Sequence, residues 1–230
     1  MIGEKKELQV PQPDILTLSS AGLLVATFGV VVRRSFAGWL SAYRYQTVVL
    51  AGTTAVIAYF ADLPELYVAA ALTLVIKAVL IPRILVRVTE KIKGEFKIEA
   101  NPYVSIRLSV LISALLVALS YALVQETLST ASLDVLATTY VPVSVSLFFI
   151  GLFVMVSRRM ALNQVVGLLI IENGLFLFTA ALTYGLALII EIGILADILV
   201  GVIIASVLLS RMSQTFDTLD MTRLENLRDD

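Results

Sequence analysis

The sequence predicts an all-α, polytopic membrane protein of about seven transmembrane helices, and three observations carry that prediction. Of its 230 residues, 59% are apolar and only 15% charged, against about 45–50% and about 25% in soluble domains. The apolar positions fall into runs near the roughly 20 residues that one bilayer crossing needs. The polar gaps between those runs are short, so the length is used up by spans and no separate catalytic domain is expected. The chain contains neither cysteine nor histidine, which removes the usual ligands of zinc, iron–sulfur clusters and haem. No cofactor or metal is therefore expected in this chain. A formal net charge of −1 gives no basic field for nucleic acid.

The spans follow in order. The first, Ile15–Val32, comes after a mixture of Glu4, Lys5, Lys6 and Glu7 and ends on Arg33 and Arg34. That is the wrong flank for a cleaved signal peptide, which ends on small residues. Leu40–Phe60 and Leu66–Val88 are the second and third spans, and Val104–Gln125 the fourth, with Arg44 and Arg107 placed to snorkel to an interface. Leu133–Ser157, Leu162–Tyr184 and Gly185–Ser210 complete the set. Gly167 and Gly174 on the sixth span, with Gly193 and Gly201 on the seventh, fit close helix packing that would bring Glu172 toward Asp197.

Basic residues orient the bundle. Arg33, Arg34 and Arg44 follow the first span, Arg87, Lys91, Lys93 and Lys97 the third, Arg158 and Arg159 the fifth, and Arg211, Arg223 and Arg228 the seventh. The opposite side carries Asp62, Glu65, Glu126 and Asp134. The positive-inside rule then places the N-terminus outside and the C-terminus in the cytoplasm.

An internal repeat is also legible. Arg33-Arg34 and Arg158-Arg159 each introduce a span with Thr-Ala (Thr54-Ala55, Thr179-Ala180) and a closing tyrosine, Tyr59 or Tyr184. Four intervening spans make the copies parallel, a 3+1+3 arrangement. The expected organisation is a polar tail (1–14), a first three-helix unit (15–100), a linker helix (101–132), a second three-helix unit (133–210) and a polar tail (211–230). That last tail carries Phe216, Leu219, Leu224 and Leu227 among charges, the pattern of a short amphipathic segment.

Charges inside the spans are the candidate site. A charge at the bilayer centre costs about 2.5–3.5 kcal/mol by insertion scales, so it must face protein or water. Lys77 lies mid-way along the third span, Glu172 along the sixth and Asp197 along the seventh, with Glu191 further out on the seventh. A buried carboxylate whose pKa is drawn toward neutrality can take up and release a proton, and a nearby lysine biases that cycle. The bland alternative is a buried ion pair that only fixes packing, and for Glu191 a side chain snorkelling to the outer interface.

The phrase Arg158-Arg159-Met160-Ala161-Leu162-Asn163-Gln164-Val165-Val166-Gly167-Leu168-Leu169-Ile170-Ile171-Glu172-Asn173, followed by Ala196-Asp197-Ile198-Leu199-Val200-Gly201, resembles the K-subunit family of bacterial respiratory complex I. The whole chain resembles its longer relatives, the component E family of hydrogenase-4 in group 4 [NiFe]-hydrogenase complexes. The polar stretch Phe216-Asp217-Thr218-Leu219-Asp220 also resembles the cytoplasmic tail of that family.

The resemblance implies a multi-pass subunit of a prokaryotic cytoplasmic (inner) membrane, in the membrane arm of a proton- or sodium-translocating complex. It further implies antiporter-like membrane subunits and a peripheral hydrogenase or oxidoreductase arm as partners. The [NiFe] centre and iron–sulfur clusters would reside on those partners. The carboxylates it points to for translocation are Glu172 and Asp197; Lys77, which has no counterpart in the shorter K subunit, and Glu191 join them as candidates only from their place inside the spans. Two departures stand out: the family's first glutamate falls at Leu169 here, with Glu172 one turn on, and its second is replaced by the shorter Asp197. Two rival readings remain, a standalone seven-helix secondary transporter and a purely structural subunit of the same complex.

Overall fold

The computed structural model describes residues 13–91, 103–128, 134–158 and 161–182, with 192, 193 and 201. Among the described residues every regular element is helical. The order is α1 (Pro13–Val31), α2 (Phe36–Ala61), a third span built from α3 (Pro64–Thr73), a π-helical turn (Leu74–Leu80) and α4 (Ile81–Lys91), then α5 (Ile106–Leu128), α6 (Val135–Ser157) and α7 (Ala161–Leu182). These six spans match the first six read from the sequence. The seventh span, apart from those three isolated positions, lies outside the described residues, as do the N-terminal tail through Gln12 and the tail from Arg211.

Turn chemistry explains where the helices break. Ser35 caps α2 by accepting a hydrogen bond from the Gly38 N–H at 3.1 Å, the side-chain substitute that a helix start requires. Asp62 ends α2 in the left-handed region, at φ 55° and ψ 41°, a conformation that aspartate tolerates better than most residues. Pro64 then opens α3, where its missing N–H costs nothing. Pro142 sits inside α6, and the Ser146 hydroxyl donates to its carbonyl at 2.7 Å. A serine bonded in this way to the carbonyl four residues back satisfies its own hydroxyl within the helix.

Burial follows membrane logic. α5 is the most apolar-faced and least covered, exposing Leu111, Leu115, Leu119 and Leu123 at four-residue steps. α2 carries Gln46, Thr47, Thr53 and Thr54, all buried. Lipid tails solvate leucine as well as protein does, so close packing and hydrogen bonds, not apolar transfer, decide which helix goes inside. Five helices have the length and apolarity of a membrane crossing, and α2 is the described long helix outside that set.

α1 packs on α2 and α6, and α2 on α7. Near their starts α1 and α6 meet through Ser19 and the Tyr140 hydroxyl at 2.8 Å. At their ends Arg158, just past α6, donates to the Val31 carbonyl at 3.2 Å. Contacts at both matching ends mean that α1 and α6 run parallel, as the repeat predicts. The turns also match: Trp39 Nε1 donates to the Arg33 carbonyl and Gln164 Nε2 to the Arg158 carbonyl, at 2.5 and 3.5 Å. These four residues occupy equivalent positions in the two copies.

The tightest packing joins α6 and α7. A Cβ on Gly167 would fall 2.9 Å from the Met155 nitrogen and 3.0 Å from the Gly151 carbonyl, and one on Gly174 would fall 2.8 Å from the Ser144 carbonyl. The sixth-span glycines thus serve contact with α6, the preceding helix. Gly193 and Gly201 meet nothing among the described residues that would show a matching contact. Replacing Gly167 with alanine sets a methyl group against backbone. It should cost about 1–3 kcal/mol, the usual penalty of overpacking, read as a lowered thermal midpoint of the detergent-solubilised subunit. An unchanged midpoint would mean that the two helices are free to separate.

Candidate functional site

The site begins with an irregularity in the third span. Its buried positions Thr73, Lys77, Ile81 and Leu85 recur every four residues, a spacing that drifts around a 3.6-residue helix by about 40° per step. The wider π turn over Leu74–Leu80 absorbs that drift. Lys77, inside it, therefore stays on the same buried face as Leu66 before it and Leu85 after it. Such π turns recur at functional positions.

Lys77 is 0% exposed and Glu172 only 2%. The Lys77 Nζ lies 2.5 Å from Glu172 Oε1 and 4.8 Å from the ring centre of Phe176. Phe176 stands one turn beyond Glu172 on α7, so one helix supplies both the carboxylate and the aromatic face that hold the ammonium. Neither charge would be tolerable there alone.

Two buried side-chain hydrogen bonds between helices involve residues next to the pair and to each other in sequence. Asn173, next to Glu172, donates through Nδ2 to Thr47 Oγ1 at 3.3 Å. On the adjoining position of α2, Gln46 donates through Nε2 to Thr27 Oγ1 at 2.8 Å. The Thr27 hydroxyl passes its own proton to the Leu23 carbonyl at 2.8 Å. α7, α2 and α1 are thereby linked by polar groups buried in an otherwise apolar bundle.

The sequence-predicted residues divide accordingly. Lys77 and Glu172 are brought into direct contact. Asp197 and Glu191 lie outside the described residues, so the expected approach of Glu172 to Asp197 has no counterpart here, and the partner that Glu172 finds is Lys77. Arg44 and Arg107 are exposed, as a snorkelling arginine would be. Thr27, Gln46 and Thr47 had not been singled out; the available signal was two adjacent hydrogen-bonding residues in the middle of an apolar run. Arg158 enters the sequence reading as an orientation signal, a repeat marker and the start of the K-subunit-like phrase, none of which implies burial, yet it is 1% exposed and its guanidinium lies 4.8 Å from the Trp39 ring. Among the described residues no cluster of carboxylates is disposed to hold a metal ion.

With five described helices long and apolar enough to cross a membrane and a buried ion pair among them, the fold and site define a helical membrane protein. The comparisons with known proteins make this specific. Residues 139–229, which include α7 and Glu172, match the family described as NADH-ubiquinone/plastoquinone oxidoreductase chain 4L. The chain is 28% identical to hydrogenase-4 component E of Escherichia coli over 90% of its length and 95% of that protein, with the same figures for the Shigella flexneri protein. It is also 28% identical to an uncharacterized protein of Mycobacterium tuberculosis, over 94% of this chain and 96% of that one. No solved structure matches. The chain is a homologue of hydrogenase-4 component E with a chain 4L region, the complex I K-subunit type, at its C-terminal end. Over nearly its whole length it is thus similar to a membrane subunit of complex I-like assemblies.

Proposed function

We propose that this subunit contributes a switchable charge centre, the Lys77–Glu172 pair, to ion translocation driven by redox chemistry on partner subunits. The observation that carries the reading is the pair itself. It joins a lysine of the first half to a glutamate of the chain 4L region, at a depth where neither charge is stable alone. With the pair closed, the Lys77 ammonium balances the Glu172 carboxylate. A neighbouring charge that draws Lys77 away leaves that carboxylate buried without its counter-ion, a place that an arriving proton can fill and that closure empties again.

Asp197 and Glu191 are assigned to the same path as further stations, with proton or sodium as the coupling ion. The proposed setting is a prokaryotic inner membrane with the C-terminus in the cytoplasm. The partners are antiporter-like subunits and a peripheral hydrogenase or oxidoreductase arm, which holds the [NiFe] centre and iron–sulfur clusters. The tight closed pair is also what a purely structural clamp would use, and flux separates the two readings.

In the purified complex reconstituted into vesicles, Glu172→Gln combined with Asp197→Asn should sharply lower ion translocation per electron transferred while the complex stays assembled. Lys77→Gln with Glu172→Gln, which leaves no unpaired charge, should do the same. Translocation at the parental ratio in both variants would leave only the clamp.

A further inference from the structure

The Lys77 ammonium faces two groups of different chemistry, and both belong to α7. Glu172 Oε1 lies 2.5 Å from Nζ, and the ring centre of Phe176 lies 4.8 Å from it. Phe176 follows Glu172 by four residues, so the two stand one above the other on a single helix face. They are about 6 Å apart along the axis at 1.5 Å per residue. The Lys77 stem comes from the third span, a different helix. α7 therefore fixes the spacing of carboxylate and ring, and only the lysine has to move to exchange one for the other. All three side chains are enclosed, Lys77 at 0%, Phe176 at 1% and Glu172 at 2% exposure. An ammonium that leaves the carboxylate is thus not released to bulk water and stays inside the bundle.

From this arrangement we infer that Phe176 is the second seat of the Lys77 ammonium: the ring holds it while a proton occupies Glu172, and gives it back when that proton leaves. The inference rests on the reading of Lys77 and Glu172 as a switchable pair, and charge counting supplies the reason for a second seat. Closed, the pair carries one charge of each sign. With a proton on Glu172 the carboxyl is neutral, and one positive charge is left on Nζ in an enclosed site. A buried cation without a counter-charge is among the costliest groups a fold can hold. An aromatic face attracts a cation within about 6 Å of its centre, most strongly where water is excluded. The Phe176 ring is inside that range already in the closed pair, so the swing is short. The ring also has no lone pair on which a proton could lodge. It steadies the ammonium without competing with Glu172 for the transported proton, which a second carboxylate would do, while an aliphatic side chain would offer the charge nothing. Phe176 in this scheme is a positioning residue, acting on Glu172 through the place where Lys77 waits. It lies farther from the start of α7 than Glu172 does, which directs the swing along that helix.

Phenylalanines carrying one, two or three ring fluorines, installed at position 176 of the intact complex, test this. Each fluorine withdraws electron density from the ring face that attracts the cation, while shape and apolarity stay nearly the same. In vesicles, ion translocation per electron should fall in order across the three, several-fold by the third, with the complex assembled throughout. Phe176→Leu should fall at least as far. Where Glu172→Gln lowers translocation, parental ratios in all three fluorinated forms, with a loss only in Phe176→Leu, would make the ring a space-filler and overturn its part in transport. A second measurement stands apart from transport. Glu172→Gln removes the negative charge and keeps the size, so the ammonium then depends on the ring. The thermal midpoint of the detergent-solubilised complex should drop more steeply with each fluorine in that background than beside an intact Glu172. A midpoint indifferent to fluorine there would overturn the seat itself. If Glu172→Gln leaves translocation untouched while its midpoint still tracks the fluorines, the relay reading fails and the seat stands.

Discussion

Replacing Lys77 alone with methionine is expected to destabilise the subunit by about 3–5 kcal/mol, and replacing both Lys77 and Glu172 with apolar residues is expected to cost far less. The single change leaves a carboxylate at 2% exposure with its counter-ion gone. It must then stay charged against desolvation or bind a proton. Glu172→Leu alone strands the ammonium in the same way. In Lys77→Met with Glu172→Leu neither charge has to be desolvated, and methionine fits the irregular space of a π turn. The double-mutant cycle should therefore show a coupling energy larger than the net cost of the double variant, measured as resistance to denaturant in detergent. Strictly additive single costs would mean that the two groups do not depend on each other and would remove the basis for treating them as one centre.

That cycle also bears on why Lys77, Glu172 and a buried ion pair were legible, while which carboxylate Lys77 meets was not. A lysine or glutamate inside an apolar run stands out because the bilayer penalises it, so depth could be read from position alone. Azimuth could not. Which way Glu172 faces depends on the crossing of α7 with α2 and the third span, and Gly167 and Gly174 seat α7 against α6, while Asp197 lies outside the described residues. The π turn went unread as well, although Pro82 just after it, which has no N–H to give the Ala78 carbonyl, marks the span as irregular there. Its other trace is the four-residue spacing of Thr73, Lys77, Ile81 and Leu85, visible only once one knows which positions are buried.

The helices themselves were easier. Apolar run length is nearly sufficient in lipid, because backbone groups have no other partner than the helix. The parallel repeat was legible from the paired arginines and tyrosines, and its physical counterpart is the end-to-end match of α1 with α6. α2 was found as a span but under-read. Its amides and hydroxyls lowered its apolarity without drawing notice, although in a membrane protein the most polar helix is the one to place at the centre.

Arg158 separates an orientation signal from a structural one. As a topology residue it needs only its positive charge, and lysine should serve as well. In the fold it does more: its guanidinium donates to the Val31 carbonyl at the end of α1 and lies 4.8 Å from the Trp39 ring, fully enclosed. The last carbonyls of a helix lack intrahelical donors and carry the negative end of the dipole, so a buried cation there satisfies both needs at once. A planar guanidinium can stack on the indole and donate sideways to the carbonyl in the same pose, which an ammonium cannot. Arg158→Gln should therefore cost about 2–4 kcal/mol, the loss of a desolvated cation–π contact together with a charged hydrogen bond. Arg158→Lys should recover less than half of that, although membrane orientation, read by protease protection of tagged termini, stays normal in both. Full recovery of stability by lysine would reduce Arg158 to its charge, and the two copies of the repeat would then need another contact to hold α1 and α6 together at this end.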